Sequence, residues 1–257
     1  MTRRADTKLA KLARLRGTFR NWPRVLADHL GIVRGRYVCR MRDGVSFEVR
    51  AGTDDRHVLF EIFVQKIYAT AIAPGAVVID IGANIGGFTV WAAHRGARVI
   101  AYEPFAENYL ALRRNVRRNR LTATLVRAAV RDAAGTSELF LPSDEGHSGR
   151  YSVHPGRGNR TIPVSCVSLD AVFAEHALEG VDLLKIDCQG SEYEILYGAS
   201  ADTLSKTRAI IVECERFPER ADWSLDALRR HLEGVGFATD TRGSLLYATR
   251  AAAGGAS

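Results

Sequence analysis

The chain has 257 residues, of which 46% are hydrophobic and 25% charged. This is ordinary globular composition with enough apolar residues for a sizeable core, and it excludes a disordered, collagen-like or disulfide-scaffold protein. The net charge is +7 but uneven: residues 1–42 hold 12 Lys+Arg against 2 Asp+Glu (+10), and the remaining 215 hold 24 against 27 (−3).

No run of about 18 apolar residues exists, so no transmembrane helix is expected. Cys39, Cys166, Cys188 and Cys214 form no C-x-x-C pair and no zinc pattern. Cys188 and Cys214 sit in apolar runs and read as small buried hydrophobes. Basic residues interrupt every apolar run before Trp22, so no signal peptide is read and a cytoplasmic setting is expected.

In chain order, Leu9, Leu12, Leu15 and Phe19 recur at helical spacing among basic residues, predicting a short amphipathic helix over 7–19. A second helix is expected over Arg24–Leu30, after Pro23. Tyr37–Met41 and Val45–Val49 alternate around Asp43-Gly44, a hairpin signal. Asp54-Asp55 offers an N-cap for one helix running through Tyr68. Pro74-Gly75 closes this first section, and residues 1–74 are expected to pack as an extension on the core domain.

Strand and helix then alternate. Strands are predicted at Ala76–Ile81, Arg98–Tyr102, Thr124–Val130, Val181–Ile186 and Ala209–Cys214, with Ser137–Leu141 and Thr161–Val167 as further strands. Helices are predicted at Phe88–His94, Ala106–Asn119, Leu169–Ala177, Glu192–Gly198 and Leu225–Leu232. Phe237–Thr239 and Leu245–Thr249 are expected to close the sheet as an antiparallel pair. The pattern predicts a doubly wound, mostly parallel, seven-stranded α/β sheet over 75–250, with 251–257 as a flexible tail.

After the first core strand the chain reads Asp80-Ile81-Gly82-Ala83-Asn84-Ile85-Gly86-Gly87. Small residues there let backbone approach a ligand at a helix N-terminus. A dinucleotide fingerprint places glycine where Asn84 stands, and a pyrophosphate disfavours the acid Asp80. A cationic amino group, such as that of S-adenosylmethionine (SAM), favours it. Glu103, 21 residues after Gly82 and followed by Pro104, is placed to accept hydrogen bonds from ribose hydroxyls. The bland alternative is a glycine turn for tight packing with a surface glutamate.

These motifs, with Val167-Ser168-Leu169-Asp170, Leu184-Lys185-Ile186-Asp187-Cys188-Gln189-Gly190-Ser191-Glu192 and Gly198-Ala199, occur in an order that resembles the FkbM family of SAM-dependent methyltransferases. The resemblance covers roughly residues 54–250. It implies a Rossmann-like class I methyltransferase fold, with SAM held by Asp80, Gly82, Ala83, Asn84, Gly86, Glu103, Pro104 and Ala129. It also implies an acceptor hydroxyl on a sugar or polyketide-like metabolite, or in some members an amine. One departure is Gln189, where the family usually carries Glu.

On the acceptor side, Asp187 stands at the carboxyl end of the fourth core strand, where open α/β sheets bind ligands. It is the leading candidate to contact the acceptor, against a reading as a helix cap. Glu192 is a second candidate, against a helix-dipole role. Glu213 and Glu215 end the fifth strand and either line the same cleft or are solvated strand-end acids. His147, in the glycine- and arginine-rich loop Pro142–Arg160, is a candidate base preferred over His154, and His57 opens a helix able to reach the cleft. Arg150, Arg157 and Arg160 would hold an anionic acceptor or simply keep that loop soluble. His29, His94 and His231 read as structural, and no spacing suggests a metal site.

An N-methyltransferase for an amino sugar stays open beside the O-methyltransferase reading. A nucleic-acid methyltransferase is disfavoured, because Asp187-Cys188-Gln189-Gly190 stands where base-amine enzymes resemble one another in an (Asp/Asn)-Pro-Pro-aromatic motif. A SAM-binding scaffold and an NAD oxidoreductase rank lower. The basic extension is expected to cover the acceptor side or to form a homodimer contact.

Overall fold

The computed structural model describes residues 8–68, 70–141, 151–152 and 160–250. The first helices are α1 (Lys8–Thr18) and α2 (Trp22–His29), followed by the hairpin strands β1 (Arg36–Arg40) and β2 (Ser46–Arg50). Helix α3 (Asp55–Phe60) continues into a π-helical turn, Glu61–Gln65. Then come β3 (Val77–Ile81), α4 (Gly87–Ala93), β4 (Arg98–Tyr102), α5 (Ala106–Arg118), β5 (Thr124–Val126), β6 (Ala129–Arg131), β7 (Gly135–Leu141) and β8 (Arg160–Ser168). The last elements are α6 (Leu169–Glu175), β9 (Leu183–Ile186), α7 (Glu192–Gly198), α8 (Ala201–Ser205), β10 (Ala209–Glu213), α9 (Leu225–Gly234), β11 (Ala238–Arg242) and β12 (Leu245–Thr249).

Seven strands form one sheet in the order β11-β12-β10-β9-β3-β4-β5. The run from β10 through β5 is parallel, and β12 is antiparallel to both β10 and β11. This is the expected doubly wound class I methyltransferase fold. Side chains alternate between its two faces. Val78, Val99, Ala101, Leu183 and Ile211 pack with α4, α5 and the N-terminal elements. Ile79, Ile100, Leu184, Ile210 and Val212 pack with α6, α7 and α9. Burial on both faces is why these strands read as continuous apolar runs.

Two expectations are corrected. The strand predicted over Thr124–Val130 divides. The Val126 carbonyl accepts from the Glu103 amide, and the chain then turns, so that β6 pairs with β8 in a separate three-stranded sheet with β7. The helix predicted through Tyr68 ends early. Its last turn widens to π geometry, and Lys66 in the left-handed region (φ 56°) stops it.

The basic extension packs on the core rather than standing apart. Phe19, Val25, Phe47 and Phe63 share one hydrophobic cluster with Phe88, Val90 and Leu112. Helix α5 meets β2 through two carboxamides. Asn115 Oδ1 accepts from the Glu48 amide at 2.7 Å, and Asn119 Oδ1 accepts from the Ser46 amide at 2.8 Å. Part of the arginine run on α5 also has a structural partner, since Arg114 and Arg118 both pair with Glu48. The tail over 251–257, and the loop residues 142–150 and 153–159, lie outside the described residues. Among the described residues, no helix is long and apolar enough to cross a membrane.

Candidate active site

A cavity of about 240 Å³ opens at the carboxyl ends of β3, β4, β9 and β10. Its floor is the β3–α4 loop. Gly82 has φ +75°, and a Cβ placed there would lie 1.8 Å from the Asp187 carbonyl oxygen, so glycine is required for the two strand-end loops to touch. The Gly82 and Ala83 amides both donate to the Tyr102 carbonyl at 3.0 Å. Asn84 has φ 51°, and its Oδ1 is buried without a protein partner. Gly86 (φ +88°) starts α4 and lies against Leu112, off the cavity wall.

Glu103 sits on the wall at the end of β4, 5% exposed. Its Oε2 accepts from the Asn84 amide at 2.8 Å and its Oε1 from the Phe105 amide at 2.9 Å. Burial pushes its carboxyl up to about 7, and the two amides pull the other way. Each oxygen keeps a further lone pair for a ligand. Ala83, Asn84, Pro104 and Ala129 also line the cavity.

Asp80 stands elsewhere. It is fully buried and not on the wall. Its direct cross-strand partner in the β3–β9 register is Lys185. Lys185 Nζ lies 3.1 Å from Asp80 Oδ1, donates to the Gly82 carbonyl at 3.0 Å and is 3.7 Å from Asp187 Oδ2. Thr89 Oγ1 donates to Asp80 Oδ2 at 2.6 Å. Burial opposes the Lys185 charge, but Asp80 and Asp187 outweigh it and raise the ammonium above its ordinary value. The charge of Asp80 is therefore matched within the protein, by Lys185, which also binds the Gly82 carbonyl.

Asp187 lies on the wall. Its Oδ1 accepts from Gln189 Nε2 at 3.2 Å and its Oδ2 from the Tyr68 hydroxyl at 2.8 Å. Glu at position 189 would set a second carboxylate against Asp187, whereas Gln189 supplies a donor. Glu213 joins the wall and accepts from the same Tyr68 hydroxyl at 3.2 Å. Burial, then Asp187 and Glu61, raise its carboxyl to about 7. His57 also lines the cavity and pairs with Glu61 at 3.1 Å, an interaction that raises the imidazole.

Glu192 is fully buried and off the wall. Its Oε1 accepts from the Cys188 and Gly190 amides at 3.2 and 3.0 Å, bracing the loop that carries Asp187. Glu215 is likewise off the wall, and its carbonyl accepts from Tyr193. Cys214 is buried as expected, but Cys188 is half-buried and lines the cavity. His147, His154, Arg150 and Arg157 lie outside the described residues. Among those described, no group of three His, Cys, Asp or Glu could hold a metal ion.

Two wall residues, Tyr68 and Lys185, are not among the site residues expected from the sequence. Tyr68 reaches the cleft only because the π turn and Lys66 reverse the chain, with the Tyr247 hydroxyl holding the Ile67 carbonyl at 2.5 Å. Lys185 has an available signal: a lysine inside an apolar strand needs a buried acid, and Asp80 is the acid of the neighbouring strand.

The sheet order is that of the class I methyltransferase fold, with the cleft at the carboxyl ends of its parallel strands. The FkbM methyltransferase domain matches residues 80–238. The chain belongs to the FkbM methyltransferase family. It is 29% identical to the 31-O-demethyl-FK506 methyltransferase FkbM of Streptomyces tacrolimicus, over 73% of this chain and 84% of that protein. It is 25% identical to the methyltransferase sdnD of Sordaria araneosa, over 75% and 84%. A further match, at 30% identity, is to the AMB antimetabolite synthetase AmbE of Pseudomonas aeruginosa. That match takes in 69% of this chain but only 10% of AmbE.

Proposed function

We propose that the protein transfers a methyl group from SAM to a hydroxyl of a sugar or secondary metabolite. The observation that carries this reading is Glu103, fixed by the Asn84 and Phe105 amides on the cavity wall with Asp187 on the same cavity. A nucleoside whose two ribose hydroxyls donate to one carboxylate suits that arrangement. The residues that would hold SAM are Gly82, Ala83, Asn84, Glu103, Pro104 and Ala129, and the unpartnered Asn84 Oδ1 fits a ligand donor. When bound, SAM supplies an activated methyl carbon whose leaving group is a neutral thioether.

The protein's own work is then positioning and proton removal. Lys185 fixes the Gly82 carbonyl and stands beside Asp187, and Gln189 and Tyr68 orient the Asp187 carboxylate. Asp187 accepts the proton of an acceptor hydroxyl. The names of the FkbM and sdnD relatives support a metabolite acceptor.

An amine-bearing acceptor is the second reading. Asp54, Glu61, Asp187 and Glu213 line the cavity, and no arginine does among the described residues, in a chain with 31 of them. Calorimetry with SAM, then a mass-shift screen pairing neutral glycosides with aminoglycosides, tests both. Failure to bind SAM below millimolar concentration rejects the enzyme reading, and transfer confined to amine nitrogens rejects O-methylation.

A further inference from the structure

We propose that Asp187, Tyr68 and Glu213 form a proton relay, in which Tyr68 is the positioning residue that couples two strand-end carboxylates. The proposal rests on the methyltransferase reading above and adds a path for the acceptor proton.

The three groups come from distant parts of the chain. Tyr68 is 119 residues from Asp187 and 145 from Glu213, and it precedes the matched family domain. Its hydroxyl stands 2.8 Å from Asp187 Oδ2 and 3.2 Å from Glu213 Oε2. The ring is fixed edge-on to Phe88 at 5.6 Å, and Lys185 Nζ lies 5.5 Å from its centroid. One hydroxyl carries one proton, so it satisfies only one carboxylate fully. The bonding therefore depends on whether Glu213 holds a proton. When it does, Glu213 donates to the Tyr68 oxygen and Tyr68 donates to Asp187. When it does not, Tyr68 is divided between two anions.

Glu213 is suited to be the terminus. Ser244 Oγ donates to its Oε1 at 3.2 Å, and the ionisable groups around it are Asp187, Glu61, Tyr68, Cys214 and Tyr247. Lys185 Nζ stands 3.7 Å from Asp187 Oδ2, the oxygen that Tyr68 also binds, and is not among the groups that act on Glu213. The groups that act on it are thus acidic or neutral, which lets Glu213 accept a proton near neutrality.

Atoms and electrons balance along this path. The acceptor oxygen bonds to the methyl carbon as the carbon–sulfur bond breaks, and that electron pair stays on sulfur. The acceptor proton passes to Asp187. It then moves to the Tyr68 oxygen while the Tyr68 proton moves to Glu213. Asp187 is regenerated, and Glu213 releases one proton to water.

Carboxyl carbon-13 NMR on the full chain tests the coupling without an acceptor. Asp187→Asn and Glu213→Gln assign the two resonances. In the parent the Asp187 resonance is expected to shift as Glu213 takes up its proton near pH 7, and in Tyr68→Phe, which keeps the ring, that coupled shift should disappear. Independent titration in the parent, or unchanged curves in Tyr68→Phe, overturns the relay whether or not methyl transfer is found. Should Tyr68→Phe fail to fold, the Asp187 curve in Glu213→Gln decides: it must change. With an acceptor in hand, Tyr68→Phe and Glu213→Gln should each lower kcat by about tenfold or more and move its acid limb, with SAM affinity held within about twofold. Parent-like kcat and pH profile in Tyr68→Phe would reject the relay and leave the methyltransferase reading intact.

Discussion

The backbone at Gly82 presses so closely on Asp187 that a Cβ would sit 1.8 Å from the Asp187 carbonyl oxygen. Gly82→Ala therefore forces the two strand-end loops apart, in addition to the cost of a side chain at φ +75°. The expected loss is on the order of 3 kcal/mol, or on the order of 10 °C in Tm for a chain of this size, with weakened SAM binding. Gly17→Ala in α1 is the matched control. No atom lies within 4 Å of its added Cβ, and a helical alanine should be neutral or stabilising by up to about 1 kcal/mol. Similar Tm values for the two variants would show that the loops are not in contact.

The Asp80–Lys185 pair is buried on both sides, at 0% and 3% side-chain exposure. Removing one partner leaves an uncompensated charge, so Lys185→Met should cost about 3–5 kcal/mol in urea unfolding. Asp80→Asn combined with Lys185→Met should recover most of that loss. A double variant as unstable as Lys185→Met alone would show that the ion pair is not the source of the effect.

Much of the sheet is legible in the sequence. The strand–helix alternation and the apolar runs at 77–81, 98–102 and 209–213 specify it, because strands buried on both faces need no polar alternation. The Gly82–Gly86 loop and Glu103 are legible because close approach restricts residue type. The partner of Asp80 is not, since cross-strand register decides it and the loops between strands set that register. Tyr68 is hidden for another reason. Helical periodicity carries through residue 68, while the π turn and the left-handed Lys66 that redirect the chain leave no periodic mark. The division of Thr124–Val130 is hidden likewise, because β6 is as apolar as β5 and only its pairing with β8 separates them.

Glu103 gives a direct test of the cofactor site. Its two amide bonds fix the carboxylate, and a ligand hydroxyl adds to them. A hydrogen bond to a charged group contributes about 1.5–3 kcal/mol, so Glu103→Ala should raise the SAM Kd by roughly tenfold to a hundredfold in calorimetry. Glu103→Gln keeps one acceptor oxygen and should lose less. A parent-like Kd in Glu103→Ala would place the ribose elsewhere.

The contact of α5 with β2 predicts how the extension is held. Asn115→Ala removes the acceptor of the Glu48 amide and the donor to the Ile85 carbonyl at 2.9 Å. Unsatisfied buried groups cost about 1–3 kcal/mol each. With two groups affected the variant should lose about 2–6 kcal/mol, with hydrogen exchange rising first in the hairpin at residues 46–50. Exchange rising uniformly along the chain would argue against a locally docked hairpin.

Glu192 predicts a pH dependence of definite sign. Burial lifts its carboxyl from an ordinary 4.5 to about 7. Between those values the folded protein holds a proton that the unfolded chain has released. The contribution to folding is therefore fully present below about pH 4.5 and is lost as pH rises through about 7. Glu192→Gln cannot ionise, yet its amide oxygen can still accept from the Cys188 and Gly190 amides. The variant should match the parent at pH 5 and exceed it by about 1–3 kcal/mol at pH 8, read from urea midpoints. A variant weaker than the parent at pH 8 would mean that the ionised carboxylate is needed by the fold. A variant that gained stability but lost methyl transfer with SAM affinity intact would return Glu192 to the catalytic role its motif suggested.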